Sequence, residues 1–341
     1  LVCYVVVGGF FGDEGKGKIV SYLASKDRVA IAARGGCGTN AGHTVEFGGR
    51  RFKLRQIPSG FVFEGARVLI GAGVLVDPKI FLEEVEVTGV GGRAGVDYNC
   101  AIIEQRHVEQ DRASSHLSGK IGSTGTGCGP CNAERAMRTV KLAKDIEELK
   151  PYLSDVSLEI NEAIDRGENV LIEGTQGTFL SLYHGTYPYV TSKDTTASQV
   201  CADVGVGPTK IDEVLVVFKA YVTRVGGGPL PGELSEEEAA KRGWLEVATV
   251  TGRKRRAAPF NFELAEKAVK LNGATQVAIT KLDVVYPECK GATSFSELPR
   301  SAVEFIEQVE RRLKKPVTII GTGADLKEVV DRRKELGLEV T

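Results

Sequence analysis

Short, unbroken apolar runs alternate along this chain with longer stretches that are apolar on one side only. Cys3-Tyr4-Val5-Val6-Val7 is the first such run. Its lack of polar interruption predicts a strand buried on both faces. It leads into Gly8-Gly9, then Gly12, Gly15 and Gly17, and a helix-like stretch from Lys18 to Lys26. Val29 to Ala33 runs into a second glycine-rich turn. Val45 to Phe47, Gly48-Gly49 and Arg51 to Gln56 read as a hairpin. Arg67 to Ile70 is a short strand, Pro78 to Val87 a helix, and Ala101 to Glu104 strand-like. Ser118 to Pro130 is a Gly/Ser/Thr loop, and two helices are expected between Cys131 and Arg166.

The alternation then continues. Asn169 to Glu173 is a strand that ends in Gly174-Thr175-Gln176-Gly177, and Val214 to Lys219 is another. Glu236 to Arg242 and Phe262 to Leu271 are helical, and Gln276 to Thr280 is a strand ending in Lys281-Leu282-Asp283. Ala302 to Lys314 is an amphipathic helix, Val317 to Ile320 the last strand, and Leu326 to Glu335 a closing helix. The pattern predicts an α/β protein, a single large domain over residues 1–341 around a mostly parallel central sheet. Glycine-rich, phosphate-binding loops sit at strand carboxyl ends, where such sheets bind ligands. No internal repeat or low-complexity segment interrupts it.

Composition narrows the class. Lys and Arg number 44 and Asp and Glu 45, so a nucleic-acid binder built on a basic surface is excluded. A polybasic membrane-surface protein is excluded for the same reason. No apolar run approaches the roughly 18 residues of a membrane span. Tyr4 to Val7 is too short for a signal-peptide core. A cytoplasmic location is expected, with the seven Cys as thiols. Gly is 41 of 341 residues, well above the usual share of about 7%, and its clustering points to phosphate-gripping loops.

Gly12-Asp13-Glu14-Gly15-Lys16-Gly17-Lys18 lies between a strand and a helix. Converging backbone N–H groups and a helix N-terminus suit phosphate there. The segment fits G-x-x-x-x-G-K, but Ile19 stands where a P-loop needs Ser or Thr for Mg²⁺. Two carboxylates in an anion-binding loop need a reason, such as a metal or a proton to abstract. Gly42-His43-Thr44, after Asn40-Ala41, places a histidine in a second loop, while His107, His116 and His184 show no metal-ligand spacing. Cys128-Gly129-Pro130-Cys131 has the C-x-x-C spacing of a redox motif, but it follows a Gly/Thr loop and not a strand end.

A set of segments in fixed order resembles the adenylosuccinate synthetase family. They are GDEGKGK at 12–18, NAGHT at 40–44, IPSG at 57–60, GSTGTGCGP at 122–130, EGTQGT at 173–178 and GTYPYVTS at 185–192. TRVGGGP at 223–229, TGRKRR at 251–256, KLDV at 281–284 and GTG at 321–323 complete it. Together they cover nearly the whole chain, which resembles the family's shorter members.

The resemblance implies a GTP-dependent ligase that joins L-aspartate to IMP through 6-phosphoryl-IMP, with Mg²⁺. It implies Asp13, His43, Lys16 and Gln176 as catalytic residues. GTP would contact Gly12, Glu14, Gly15, Lys16, Gly17 and Lys18, then Gly42, His43 and Thr44, then Lys281, Asp283, Gly321, Thr322 and Gly323. IMP would contact Asp13, Asn40, Thr124, Gln176, Thr191 and Arg253, and Arg138 from the other subunit of a homodimer. Thr251, Gly252, Arg253 and Arg255 would hold aspartate, and Asp13 and Gly42 the metal. Thr126 stands where many relatives carry Arg, and Ala258-Pro259 replaces a Gly-Trp pair.

Two other readings compete. A GTP-binding switch would share the guanine-reading Thr280-Lys281-Leu282-Asp283, but it needs the P-loop hydroxyl that Ile19 denies and an Asp-x-x-Gly that no Asp here supplies. A nucleotide ligase with a different amine donor would use the same loops.

Overall fold

The structure is a computed structural model that describes residues 2–247 and 252–339. Its spine is a ten-stranded sheet. In chain order the strands are β1 (Cys3–Gly8), β2 (Ile31–Arg34), β3 (His43–Phe47), β4 (Arg50–Leu54), β5 (Arg67–Ile70), β6 (Leu75–Val76), β7 (Ala94–Asp97) and β8 (Ala101–Ile102). There follow β9 (Leu153–Ser154), β10 (Val170–Glu173), β11 (Glu213–Lys219), β12 (Tyr221–Arg224), β13 (Arg256–Pro259), β14 (Gln276–Thr280), β15 (Val317–Gly321) and β16 (Val329–Asp331). The sheet order is β16-β15-β14-β11-β1-β10-β2-β5-β7-β9, and every pairing is parallel except β15 with β16. β1 is central, with Tyr4 opposite both Leu171 and Glu213.

Strand periodicity sorts the core into two layers. Val5 and Val7 of β1, Ile172 of β10 and Phe218 of β11 pack on one face. There they meet α5 (Val156–Asp165), α6 (Ala197–Val204), α8 (Phe262–Asn272) and α10 (Arg300–Leu313). The other helices are α1 (Lys16–Lys26), α2 (Pro78–Thr88), α3 (Gln105–Ala113), α4 (Cys128–Met137), α7 (Glu236–Lys241) and α9 (Leu282–Val285). Tyr4 and Val6 turn the other way, onto Ile19, Val20 and Leu23 of α1. Both faces of β1 are therefore covered.

The expected mostly parallel α/β architecture is the one observed, with three local differences. Residues 326–335 form no helix. Val329–Asp331 instead adds an antiparallel edge strand to β15, because Arg333 turns inward onto Asp27 at 2.7 Å and Asp331 at 2.7 Å. That buried pairing outweighs helical propensity, and it makes Val317–Gly321 the penultimate strand. The expected loop at 118–130 is helical at both ends, with Ser115–Ile121 winding into it as a π-helix and α4 already beginning at Cys128. Ala94–Asp97 pairs in the sheet although its Gly and Asp have low strand propensity. All seven cysteines are buried free thiols. Among the described residues no helix is long and apolar enough to cross a membrane.

Candidate active site

A cleft of about 1050 Å³ opens at the carboxyl ends of β1, β10 and β14. Of the expected site residues it is lined by Gly12, Asp13, Gly15, Lys16, Gly17, Lys18, Asn40, Gly42, His43 and Thr44. Thr124, Gln176, Thr191, Arg253, Arg255, Lys281 and Gly323 also line it. Segments far apart in the chain thus converge on one cavity.

The floor is the turn from β1 into α1. Gly15 caps α1 in the left-handed region, φ 82°, with no side-chain cap, so the first N–H groups of the helix are not capped by a side chain. Such a terminus favours anions. Glu14 is 1% exposed and does not reach the cleft. Its carboxylate accepts from Phe10 N at 3.0 Å, Gly12 N at 2.8 Å and Lys16 Nζ at 3.0 Å. The second acid of the loop is therefore a brace that shapes it. Lys16 Nζ also donates to Gln176 O, tying this turn to the one after β10. Glycine is required where these turns meet: a Cβ on Gly177 would lie 2.5 Å from Gly12 N. Lys18 Nζ donates to Gly323 O and, at 2.8 Å, to Glu328 O, joining α1 to the 321–323 turn. Burial lowers the Lys18 ammonium to about 8, against the pull of Glu328.

His43 sits against a buried acid that sequence reasoning left without a role. Its Nδ1 contacts the Glu173 carboxylate and lies 2.7 Å from Arg34 Nη1. Glu173 ends β10 fully buried, and also accepts from Ser59 N and Oγ, both at 2.7 Å. Burial opposes the Glu173 charge, but Arg34 and His43 hold it down at about 2. Burial first, then the Arg34 charge, lowers His43 to about 4, so the ring is neutral at pH 7. With Nδ1 held by protein, Nε2 is the nitrogen left for a ligand in the cleft. An acid closing an apolar Val170-Leu171-Ile172 run was the available signal for Glu173.

The next wall is a hydrogen-bonded chain. Gln176 Nε2 donates to Asn40 Oδ1 at 3.0 Å, and Asn40 Nδ2 to Thr191 Oγ1 at 3.0 Å. Thr124 Oγ1 is 3.1 Å from Thr126 Oγ1, and Arg253 Nη2 donates to Gly122 O at 2.8 Å. Arg255 Nη2 lies 2.9 Å from Asp13 Oδ1, with Nη1 on Glu246.

Other expected residues lie off this cavity. Gly321 and Thr322 are buried behind it, Thr322 Oγ1 donating to Ala292 O at 2.7 Å. Gly252 is exposed, and Thr251 lies outside the described residues. Arg138 is exposed at the end of α4 and does not line the cleft of its own chain. Asp283 is half-buried, and its Oδ1 is buried with no hydrogen-bond partner among the described residues. Backbone strain marks the same places. Among the described residues six non-glycine residues have positive φ, and Asp13, Arg138, Gln176 and Lys281 are four of them. Strain of this kind gathers at ligand sites.

Comparisons with known proteins give the family. A sequence model described as adenylosuccinate synthetase matches residues 5–146 and 139–287. The chain belongs to the adenylosuccinate synthetase family. It is 60% identical over 331 residues to the adenylosuccinate synthetase of Archaeoglobus fulgidus, covering 97% of this chain and 98% of that one. It is 58% identical over 339 residues to that of Methanocaldococcus jannaschii, covering 98% of each. The fully ligated adenylosuccinate synthetase of Plasmodium falciparum superposes with a TM-score of 0.89 at 25% identity, over 96% of this chain and 99% of that one.

Proposed function

We propose that the cleft joins L-aspartate to IMP at the expense of GTP, giving adenylosuccinate, GDP and phosphate in AMP biosynthesis. The observation that carries this reading is the assembly of the β1–α1 turn, the Gln176-Asn40-Thr191 chain and Arg255 around one cavity in a chain of this family.

In the first step Asp13 takes the proton from N1 of IMP, and O6 attacks the γ-phosphorus of GTP. The bond to the β-phosphate oxygen breaks and GDP leaves. Positioning and charge stabilisation dominate such transfers. His43, set by Glu173 and Arg34, faces the transferring group, and Lys16 and the α1 N-terminus face phosphate oxygens. In the second step the aspartate amine attacks C6, the bond from C6 to the phosphorylated O6 breaks, and phosphate and an amine proton leave. Gln176, Asn40, Thr124, Thr191 and Arg253 hold IMP, while Thr251, Gly252, Arg253 and Arg255 hold aspartate. The unpartnered Asp283 Oδ1 is suited to accept from guanine N–H groups, which adenine lacks at those positions. Lys281 and the 321–323 turn flank the base.

Mg²⁺ fits this donor set. Among the described residues no cluster of three or more His, Cys, Asp or Glu could cage a metal. Mg²⁺ needs no cage, since it is habitually held by one or two protein oxygens together with substrate phosphates. Asp13 and the Gly42 carbonyl would hold it, and it would neutralise charge on the phosphates.

The active unit is a homodimer in the cytoplasm. Arg138, exposed and held at φ 66°, follows Met137, itself 64% exposed, and serves the IMP phosphate of the other subunit. The test is turnover with IMP, GTP and aspartate, read by the ultraviolet absorbance of the product. Hydrolysis of GTP that is independent of IMP would overturn the ligase reading in favour of a switch, and turnover only with another amine would overturn the donor.

A further inference from the structure

Glu246 stands outside every role assigned above, yet it is the hub of the cleft's most charged wall. Its carboxylate accepts from Lys219 Nζ at 2.9 Å, from the Tyr221 hydroxyl and from Arg255 Nη1. The backbone repeats the link, Arg255 N donating to Glu246 O at 2.9 Å. Lys219 is 1% exposed at the end of β11 and also donates to Thr223 Oγ1 at 2.7 Å. Burial works against the Glu246 charge, but Lys219 and Arg255 hold the group down at about 2.

Arg255 is forked between two carboxylates, Glu246 on Nη1 and Asp13 on Nη2. Its third nitrogen, Nε, is buried without a partner among the described residues, in a side chain only 9% exposed that lines the cleft. A guanidinium offered a single carboxylate closes on it in bidentate fashion. Were Glu246 uncharged, Asp13 would be the remaining carboxylate of this fork. Arg255 would swing onto it, capping the base and turning Nε away. The Lys219 ammonium would lose its counter-ion at the same time.

We propose that Glu246 is a positioning residue for the amino-acid substrate: by holding Arg255 Nη1 it keeps the guanidinium from collapsing onto Asp13 and leaves Nε unpaired for a substrate carboxylate. This rests on the ligase reading above. The test is steady-state kinetics on the full chain with each of the three substrates varied in turn, for wild type, Glu246→Gln and Tyr221→Phe. In Glu246→Gln the KM for aspartate rises about tenfold, the scale of one hydrogen bond to a charged group, while those for IMP and GTP stay within about threefold. Saturating aspartate draws Arg255 back, so kcat changes less than KM. Tyr221→Phe removes one donor to Glu246 and moves the same parameter about two- to threefold. Should Glu246→Gln not fold, a selective aspartate effect in Tyr221→Phe sustains the proposal and its absence overturns it. In folded variants, an unmoved aspartate KM overturns it, and so does an equal rise in all three constants. Wild type that turns over none of the three substrates is seen before any variant is made, and overturns the ligase reading and the proposal with it.

Discussion

At the carboxyl ends of β1 and β10 the buried acids are already paired. Glu14 takes two backbone N–H groups and Lys16, and Glu173 takes His43 and both donors of Ser59. Away from this floor, Asp283 Oδ1 and Arg255 Nε are buried without partners among the described residues, and Arg138 stands exposed. On the proposed reading, the first region is built in advance for a ligand that every nucleotide shares, a chain of phosphates. On the same reading, the second holds groups whose partners arrive with the base, the amino acid or another subunit. Leaving a buried polar atom unpaired costs about 1–3 kcal/mol, so such atoms are informative about what binds.

The comparison can be broken most severely on the prebuilt side. Asp13→Asn leaves the floor's hydrogen bonds in place and removes the proposed base, so turnover should fall by at least about a hundredfold. Turnover within about tenfold of wild type would refute the assignment. On the open side, Asp283→Asn replaces a double acceptor by one acceptor and one donor. GTP use should fall roughly tenfold or more, with partial rescue by xanthosine triphosphate, whose O2 accepts from the new amide. An unchanged preference for GTP would show that Asp283 does not read the base.

A mixture tests whether the open side is completed by a second chain. Arg138→Leu and Asp13→Asn are each expected to be nearly inactive alone. In a two-fold dimer with shared sites, a heterodimer has one site with both defects and one with neither, so random mixing restores roughly a quarter of wild-type activity. A flat mixing curve, with subunit exchange shown separately, sinks the shared site and leaves the ligase reading standing.

The smallest effect concerns stability. His43 is lowered from 6.5 to about 4 by burial and by Arg34. Below pH 6.5 the unfolded chain binds a proton at this ring that the native state refuses until about pH 4. The contribution is therefore full above pH 6.5 and drains away as pH falls toward 4. Urea midpoints across that window should slope less in His43→Asn than in wild type. An equal slope would place the loss elsewhere.

Much of this was legible in the chain itself. The apolar run at β1, the glycine spacing after it and the ordered loop segments located the sheet, the phosphate end and the family, because these depend on local pattern. What the sequence could not display is which distant groups meet. His43 and Glu173 are 130 positions apart, and their contact exists because β10 lies beside β1 and β2. Local pattern likewise predicted a helix over 326–335, and only the inward pairing of Arg333 with Asp27 turned Val329–Asp331 into an edge strand. The inward turn of Glu14 and the fork of Arg255 between Asp13 and Glu246 belong to the same class. Periodicity records which face of an element is buried. The choice of partner for a buried charge is made by burial itself, since removing the charge from water is unfavourable until a counter-charge from elsewhere in the fold is within reach.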